Sequence, residues 1–259
     1  MLPTAHPPHI RAVIFDLDDT LIDWSGQSVK WPDFIYPKNR AMYDYFAAAG
    51  YPLPITADDF SARIRAILEN EWAEAKKSWR GASFVQVMRI LCQELGVDLQ
   101  QINMTELLAS HNWEPFPGVQ LFADTLSVLS TLRQEGYLLG LITNSHLPMW
   151  MRDVELAHYG LLDYFPARIT SGDTGYMKPH PAIFHHMADL LGVRPEQAVF
   201  VGDRPANDIA GANQSGMISV WLNLPHLHFE LKGVEPDFVI TELSQLLTVL
   251  SQLNQPVSP

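Results

Sequence analysis

The chain has 259 residues, a formal net charge of −12 and a pI near 5.1, with 47% hydrophobic and 18% charged residues. This is the composition of a globular protein with ample core, and its acidity argues against nucleic-acid or anionic-membrane partners. Cys92 is the single cysteine, which excludes an intramolecular disulfide and points to a reducing compartment.

The opening MLPTAHPPHIR has neither a basic nor an apolar leader pattern and reads as an irregular lead-in. No apolar run approaches the about 20 residues of a membrane span. A cytoplasmic enzyme or binding protein is expected, without internal repeats and with a frayed polar tail at Asn254–Pro259. The first strong signal is Ala12–Leu21, AVIFDLDDTL. β-Branched Val13 and Ile14 beside Phe15 predict a buried strand that ends at Asp16. Asp16, Asp18 and Asp19 place three carboxylates within four residues, costly at a buried strand end without a cation. The same residues are also ordinary turn and cap formers.

From Asp23 to Pro37 the chain reads as an irregular, aromatic-rich connection, followed by helices. Asn39–Ala49 is one, stopped by Gly50. Thr56 is a plausible N-cap for a longer one carrying Phe60, Ile64, Ile67, Leu68, Trp72, Ala75 and Trp79 at helical spacing. Ser83–Leu95 and Thr105–His111 complete an all-helical block without a convincing strand. Cys92 falls inside it and reads as a packed thiol rather than a nucleophile. Pro115-Phe116-Pro117-Gly118 marks the boundary.

Beyond it, helix and strand alternate. Helices are expected at Val119–Glu135, Met149–Tyr159, Pro181–Leu191, Asp208–Gln214 and Glu242–Leu253. Strands are expected at Leu138–Thr143, Arg168–Thr170, Ala198–Gly202, Ile218–Leu222 and Asp237–Ile240. This alternation predicts an α/β fold: a Rossmann-like, doubly wound parallel sheet with an inserted all-helical domain. The expected division is a core of 1–22 and 116–259 and a helical domain of 23–115. Ligands of such sheets bind outside the carboxyl ends of the strands.

Four polar clusters fall at those ends. Asp16 and Asp18 form the first, and Thr143-Asn144 the second, able to donate to an oxyanion or to cap the next helix. Lys178 stands in an extended connection ahead of Pro179 and alone would read as solvated surface. Gly202-Asp203 with Asp208 suits metal ligation or helix capping. Hard Mg²⁺ prefers such oxygen ligands, and the charges present match a dianionic phosphate.

The set DLDDT, TN, K-P and GD with a further Asp, in that order, resembles the haloacid dehalogenase-like hydrolase superfamily, in its phosphatase type with a C1 helical cap. The resemblance covers residues 10–22 and 116–250. It implies an aspartyl-phosphate mechanism with Asp16 as nucleophile and Asp18 as general acid and base. It further implies Thr143 and the Asn144 backbone as phosphoryl ligands, and Lys178 as the neutralising cation. Mg²⁺ would be held by Asp16, the Asp18 carbonyl and Asp203, with Asp208 acting through water. Asp19 and Thr20 are expected to shape the turn.

Dehalogenases of this type lack the second acid of the first motif and use no metal, so Asp18 and the Asp203/Asp208 pair favour phosphate chemistry. A phosphomutase would share every motif, and a non-catalytic binding module would be expected to have lost one. The implied partner is a small phosphorylated metabolite, for a monomer or homodimer. Lys76, Lys77 and Arg80 read as substrate contacts or as cations complementing a helix end. The tryptophans at 24, 31, 72, 79 and 113 read as packing. His146 is expected to line the site, and His185, His186, His226 and His228 to be surface or packing residues.

Overall fold

The computed structural model describes residues 9–255; the start of the expected lead-in and the last residues of the polar tail lie outside that range. The chain opens with β1 (Ala12–Phe15) and β2 (Ile22–Asp23). Four helices follow: α1 (Trp31–Ala48), α2 (Ala57–Ser78), α3 (Phe84–Glu94) and α4 (Met104–Ala109). Next come β3 (Gln120–Leu121), α5 (Thr125–Gln134), β4 (Leu138–Thr143), α6 (Met149–His158) and β5 (Ala167–Thr170). A single turn α7 (Ser171–Thr174) leads to α8 (Pro181–Leu191) and β6 (Ala198–Gly202). A π-helical segment, Pro205–Ile209, runs into α9 (Ala210–Gln214), and β7 (Ile218–Leu222), β8 (Phe238–Ile240) and α10 (Gln245–Leu253) close the fold.

The main sheet has six strands in the order β5-β4-β1-β6-β7-β8, every pairing parallel. β1 therefore lies centrally, with β4 on one side and β6 on the other. That is the topological switch point, where connections leave in opposite directions and open a crevice. Alternation along β1 divides the interior: Val13 and Phe15 join one hydrophobic core, Ala12 and Ile14 the other. Helices α8 and α9 cover the second face, while α5, α6 and α10 pack in the first core. The first core continues into the helical insertion, where Phe34, Phe46, Phe60 and Phe84 belong to the same cluster as Phe15. Among the described residues no helix is long and apolar enough to cross a membrane.

Three expectations need correction. The stretch read as irregular up to Pro37 is already helix from Trp31. Pro32 occupies its first turn, where a missing N–H is harmless, and Pro37 sits inside it on an exposed face. The helix expected over Val119–Glu135 starts only at Thr125, because Gln120–Leu121 instead pairs antiparallel with Ile22–Asp23. The helix expected from Asp208 is preceded by the π-helical turn. The Thr56 cap is present as a full capping box with Asp59.

Besides this shared core, backbone contacts at two places tie the insertion to the rest of the chain. The β2–β3 pair joins its two ends. At its far side, the loop after α2 bonds to the core through backbone groups: Met177 N to Trp79 O (2.9 Å), Gly81 N to Gly175 O (3.0 Å) and Phe84 N to His146 O (2.8 Å). Gly81 is required there, because a Cβ would fall 1.9 Å from the Ser171 carbonyl oxygen.

Candidate active site

Register aligns Phe15 with Leu141 of β4 and Val201 of β6, so Asp16, Thr143 and Asp203 all emerge at one edge of the sheet. The Asp16 amide extends the ladder by donating to Val201 O at 2.9 Å. Lys178 arrives from the loop before α8, and Asp208 from the π-helical turn after β6. Asn144 fixes Lys178 in place: its Nδ2 donates to Lys178 O (3.0 Å) and its Oδ1 accepts from Lys178 N (2.8 Å).

The Lys178 ammonium is 2% exposed and lies 2.7 Å from both Asp16 Oδ1 and Asp208 Oδ1. Burial works against its charge, yet the two carboxylates more than reverse this and raise its pKa above the ordinary lysine value. Asp208 also accepts from Arg204 N at 2.9 Å. Gly202 makes room for that carboxylate, since a Cβ there would approach it to 2.5 Å. Together Asp16, Asp18, Thr143, Asn144, Lys178 and Asp208 line a cleft of about 340 Å³.

Asp203 lies in the same cluster, fully buried, with neither carboxylate oxygen hydrogen-bonded. Its pKa is raised by burial and by the neighbouring Asp208 and Asp16 carboxylates. Asp16 is raised by burial too, although Lys178 opposes the shift. Oxygen atoms of Asp16, Asp203 and Asp208 all lie within 4.8 Å of one another. Three buried carboxylates around one ammonium leave an excess of negative charge, and the all-oxygen donor set fits a hard divalent cation.

Asp18 occupies a setting the sequence did not reveal. Arg152 Nη2 donates to its Oδ1 (2.9 Å) and Oδ2 (3.1 Å), Trp24 Nε1 donates to Oδ1 (2.9 Å), and Thr143 Oγ1 to Oδ2 (3.2 Å). Burial raises the Asp18 pKa, but Arg152 and the other donors outweigh it and hold the group below its ordinary value. Arg152 in turn lies 2.7 Å from Glu155, buried one helical turn away. A charged pair on the buried face of α6, at spacing three among Met149, Met151 and Leu156, was the available signal.

Asp19 adopts φ 58° and accepts from Trp24 N at 3.2 Å, the turn geometry expected of it. Of the basic cluster, Lys77 pairs with Glu74 on the surface and the Arg80 backbone forms an isolated antiparallel β-bridge with Tyr176, while Lys76 borders a larger chamber above the cleft. His146 and the tryptophans at 24, 31, 72 and 113 border it too. His185 faces Ser215 O at 3.2 Å, away from this group.

A sequence profile described as haloacid dehalogenase-like hydrolase matches residues 10–216. The chain belongs to the haloacid dehalogenase-like hydrolase family. Within that family it is 32% identical over 249 residues to a glyceraldehyde 3-phosphate phosphatase of Pyrococcus furiosus, covering 95% of each chain. It is 28% identical to an N-acylneuraminate-9-phosphatase of Rattus norvegicus, covering 96% of this chain and 97% of the relative. Among solved structures of haloacid dehalogenase-like proteins, a 2-haloacid dehalogenase from Pseudomonas syringae aligns with a TM-score of 0.63 and 28% identity, over 94% of this chain and 99% of that one. A HAD phosphatase from Thermococcus onnurineus aligns with a TM-score of 0.56 and 26% identity, over 93% and 98%.

Proposed function

We infer that the protein is a Mg²⁺-dependent phosphatase that hydrolyses a small phosphorylated metabolite in the cytoplasm. The observation carrying this reading is the convergence of Asp16, Lys178 and Asp208 on one cleft beside Asp18, with Asp203 buried in the same carboxylate cluster and neither of its oxygens hydrogen-bonded. A dehalogenase needs neither an acid for its leaving group nor a metal held by Asp203. The phosphatases among the relatives, matched along nearly their whole length, support the same choice.

In the first half-reaction, an Asp16 carboxylate oxygen attacks phosphorus and the ester P–O bond breaks, giving an aspartyl phosphate. The departing alkoxide takes its proton from Asp18. A dianionic phosphoryl group entering beside Asp18 favours the protonated acid needed for that step. In the second half, Asp18 takes a proton from water as that water attacks phosphorus. The P–O bond to Asp16 then breaks, releasing inorganic phosphate and restoring the nucleophile. Lys178 neutralises charge on Asp16 and the phosphoryl oxygens, and Thr143 with the Asn144 amide donates to those oxygens. Asp16, the Asp18 carbonyl and Asp203 would hold Mg²⁺, with Asp208 as outer support. The ion supplies charge neutralisation at the phosphoryl group. Residues 23–115 act as a cap domain that excludes water from the core of 1–22 and 116–259.

The test is turnover of acetyl phosphate and p-nitrophenyl phosphate in Mg²⁺. Excess chelator and Asp16→Asn should each reduce it to background. Asp18→Asn should slow it at least about 100-fold, the scale of a lost general base toward the attacking water, since neither leaving group needs an acid. Full turnover in excess chelator would end the metal assignment.

A further inference from the structure

The cleft opens into a second, larger space of about 1010 Å³ between the insertion and the core, and Asp18, Trp24 and Asn144 line both. A phosphoryl group in the cleft therefore directs its ester oxygen past Asp18 into this chamber. Its walls are predominantly apolar and aromatic. α1 contributes Trp31 and Ile35, α2 contributes Leu68 and Trp72, the segment after β2 contributes Trp24, and the core contributes Leu147. Trp31 remains 44% exposed although it stacks on Phe116 at 5.5 Å, and Trp72 is partly exposed with its ring edge-on to His146.

Polar groups in the walls are mostly spoken for. Arg152 is engaged by Asp18 and Glu155. His146 is kept uncharged, its pKa pushed down to about 4 by burial and by Arg152. Two groups are left: the His146 ring, for which no hydrogen bond is made among the described residues, and Asn39, 2% exposed, which donates to Ser61 Oγ at 3.0 Å while its Oδ1 has no partner. Arg65, Glu69 and Lys76 are exposed residues of α2 at the rim. A polyol placed here would leave most of its hydroxyls without partners, whereas a flat ring would gain face contacts and the two polar partners the walls offer.

We propose that this chamber binds the alcohol portion of the phosphomonoester, and that this portion is a flat, largely apolar ring system with one or two hydrogen-bonding groups rather than a polyol. The proposal rests on the phosphatase reading and adds the substrate class to it. Selectivity arises from Trp31 and Trp72, both presented by the helical insertion.

The experiment compares 2-naphthylmethyl phosphate with glycerol 3-phosphate in Mg²⁺; both lose a primary alcohol, so their intrinsic reactivities are matched. The expected kcat/KM ratio favours the naphthylmethyl ester at least tenfold. Trp72→Ala and, separately, Trp31→Ala should each bring that ratio toward one, chiefly through KM for the aromatic ester. Calorimetric titration with 2-naphthalenemethanol should show saturable binding to the wild type that Trp72→Ala weakens, while glycerol shows none. Equal or better turnover of glycerol 3-phosphate, with acetyl phosphate hydrolysed normally, would overturn the proposal and leave the phosphatase reading intact. Failure to hydrolyse any ester would instead remove the phosphatase reading. In that event absence of saturable binding of the naphthyl alcohol would remove the chamber's assignment too.

Discussion

The side chain of Arg152, 6% exposed, is shared between Asp18, 31% exposed, and Glu155, 1% exposed. Burial pushes the Glu155 carboxyl up to about 7, while Arg152 holds it down. Deleting the cation alone leaves a buried carboxylate uncompensated, whereas deleting cation and anion together leaves only volume to fill. Arg152→Met should therefore cost roughly 3–5 kcal/mol of unfolding free energy. The double variant Arg152→Met/Glu155→Leu should recover most of that loss. Urea denaturation of the two variants at one pH measures the difference, and equal losses in both would show that Glu155 is not the partner that matters. The pair escaped sequence reading because its meaning depends on Arg152 of α6 meeting Asp18 just past β1, residues far apart in the chain. Asp16, Asp18, Lys178 and Asp203 were legible because each follows an apolar strand or precedes a proline that fixes its loop.

At the scale of elements, the sequence was most readable where a local signal decided the outcome. Leu138–Thr143, Pro181–Leu191, Ala198–Gly202 and Ile218–Leu222 occur with the expected bounds. It was least readable where a distant partner decided: Gln120–Leu121 becomes strand only because Ile22–Asp23 lies beside it. Pro37 reads in the sequence as the end of an irregular connection, yet it lies inside α1 on an exposed face, and Asp33, one turn back, is an exposed residue. The contact of the α2–α3 loop with the core is likewise non-local, and Gly81 makes it possible. Gly81→Ala cannot keep the approach to the Ser171 carbonyl. Hydrogen exchange should then quicken at the amides of Gly81, Phe84 and Met177, which this contact protects. Exchange in β1 and β6 should stay at its wild-type rate. Unchanged protection at those three amides would mean that the loop docks without this contact.

For the whole molecule, the site concentrates charge that the fold alone does not balance. Asp203 and Asp16 both have folded pKa values raised above the ordinary 3.8, burial being the leading cause. A carboxyl with a raised folded pKa binds more protons in the folded state than in the unfolded one. Stability from it is fully present below pH 3.8 and is lost as pH rises through the folded value. The metal-free protein should accordingly lose stability as pH rises from the ordinary carboxylate range through the value at which Asp203 titrates. Mg²⁺ binds only the ionised carboxylates, so its stabilising effect should grow in the same direction. The rise in Tm on adding Mg²⁺ should be larger at pH 8.5 than at pH 6, by several degrees. Asp203→Asn removes the least compensated of the charges, and should both flatten the pH dependence of the metal-free protein and shrink the response to Mg²⁺. A Mg²⁺-induced shift of the same size at both pH values would mean that these carboxylates are already ionised without the cation, balanced by Lys178 and Arg204 alone.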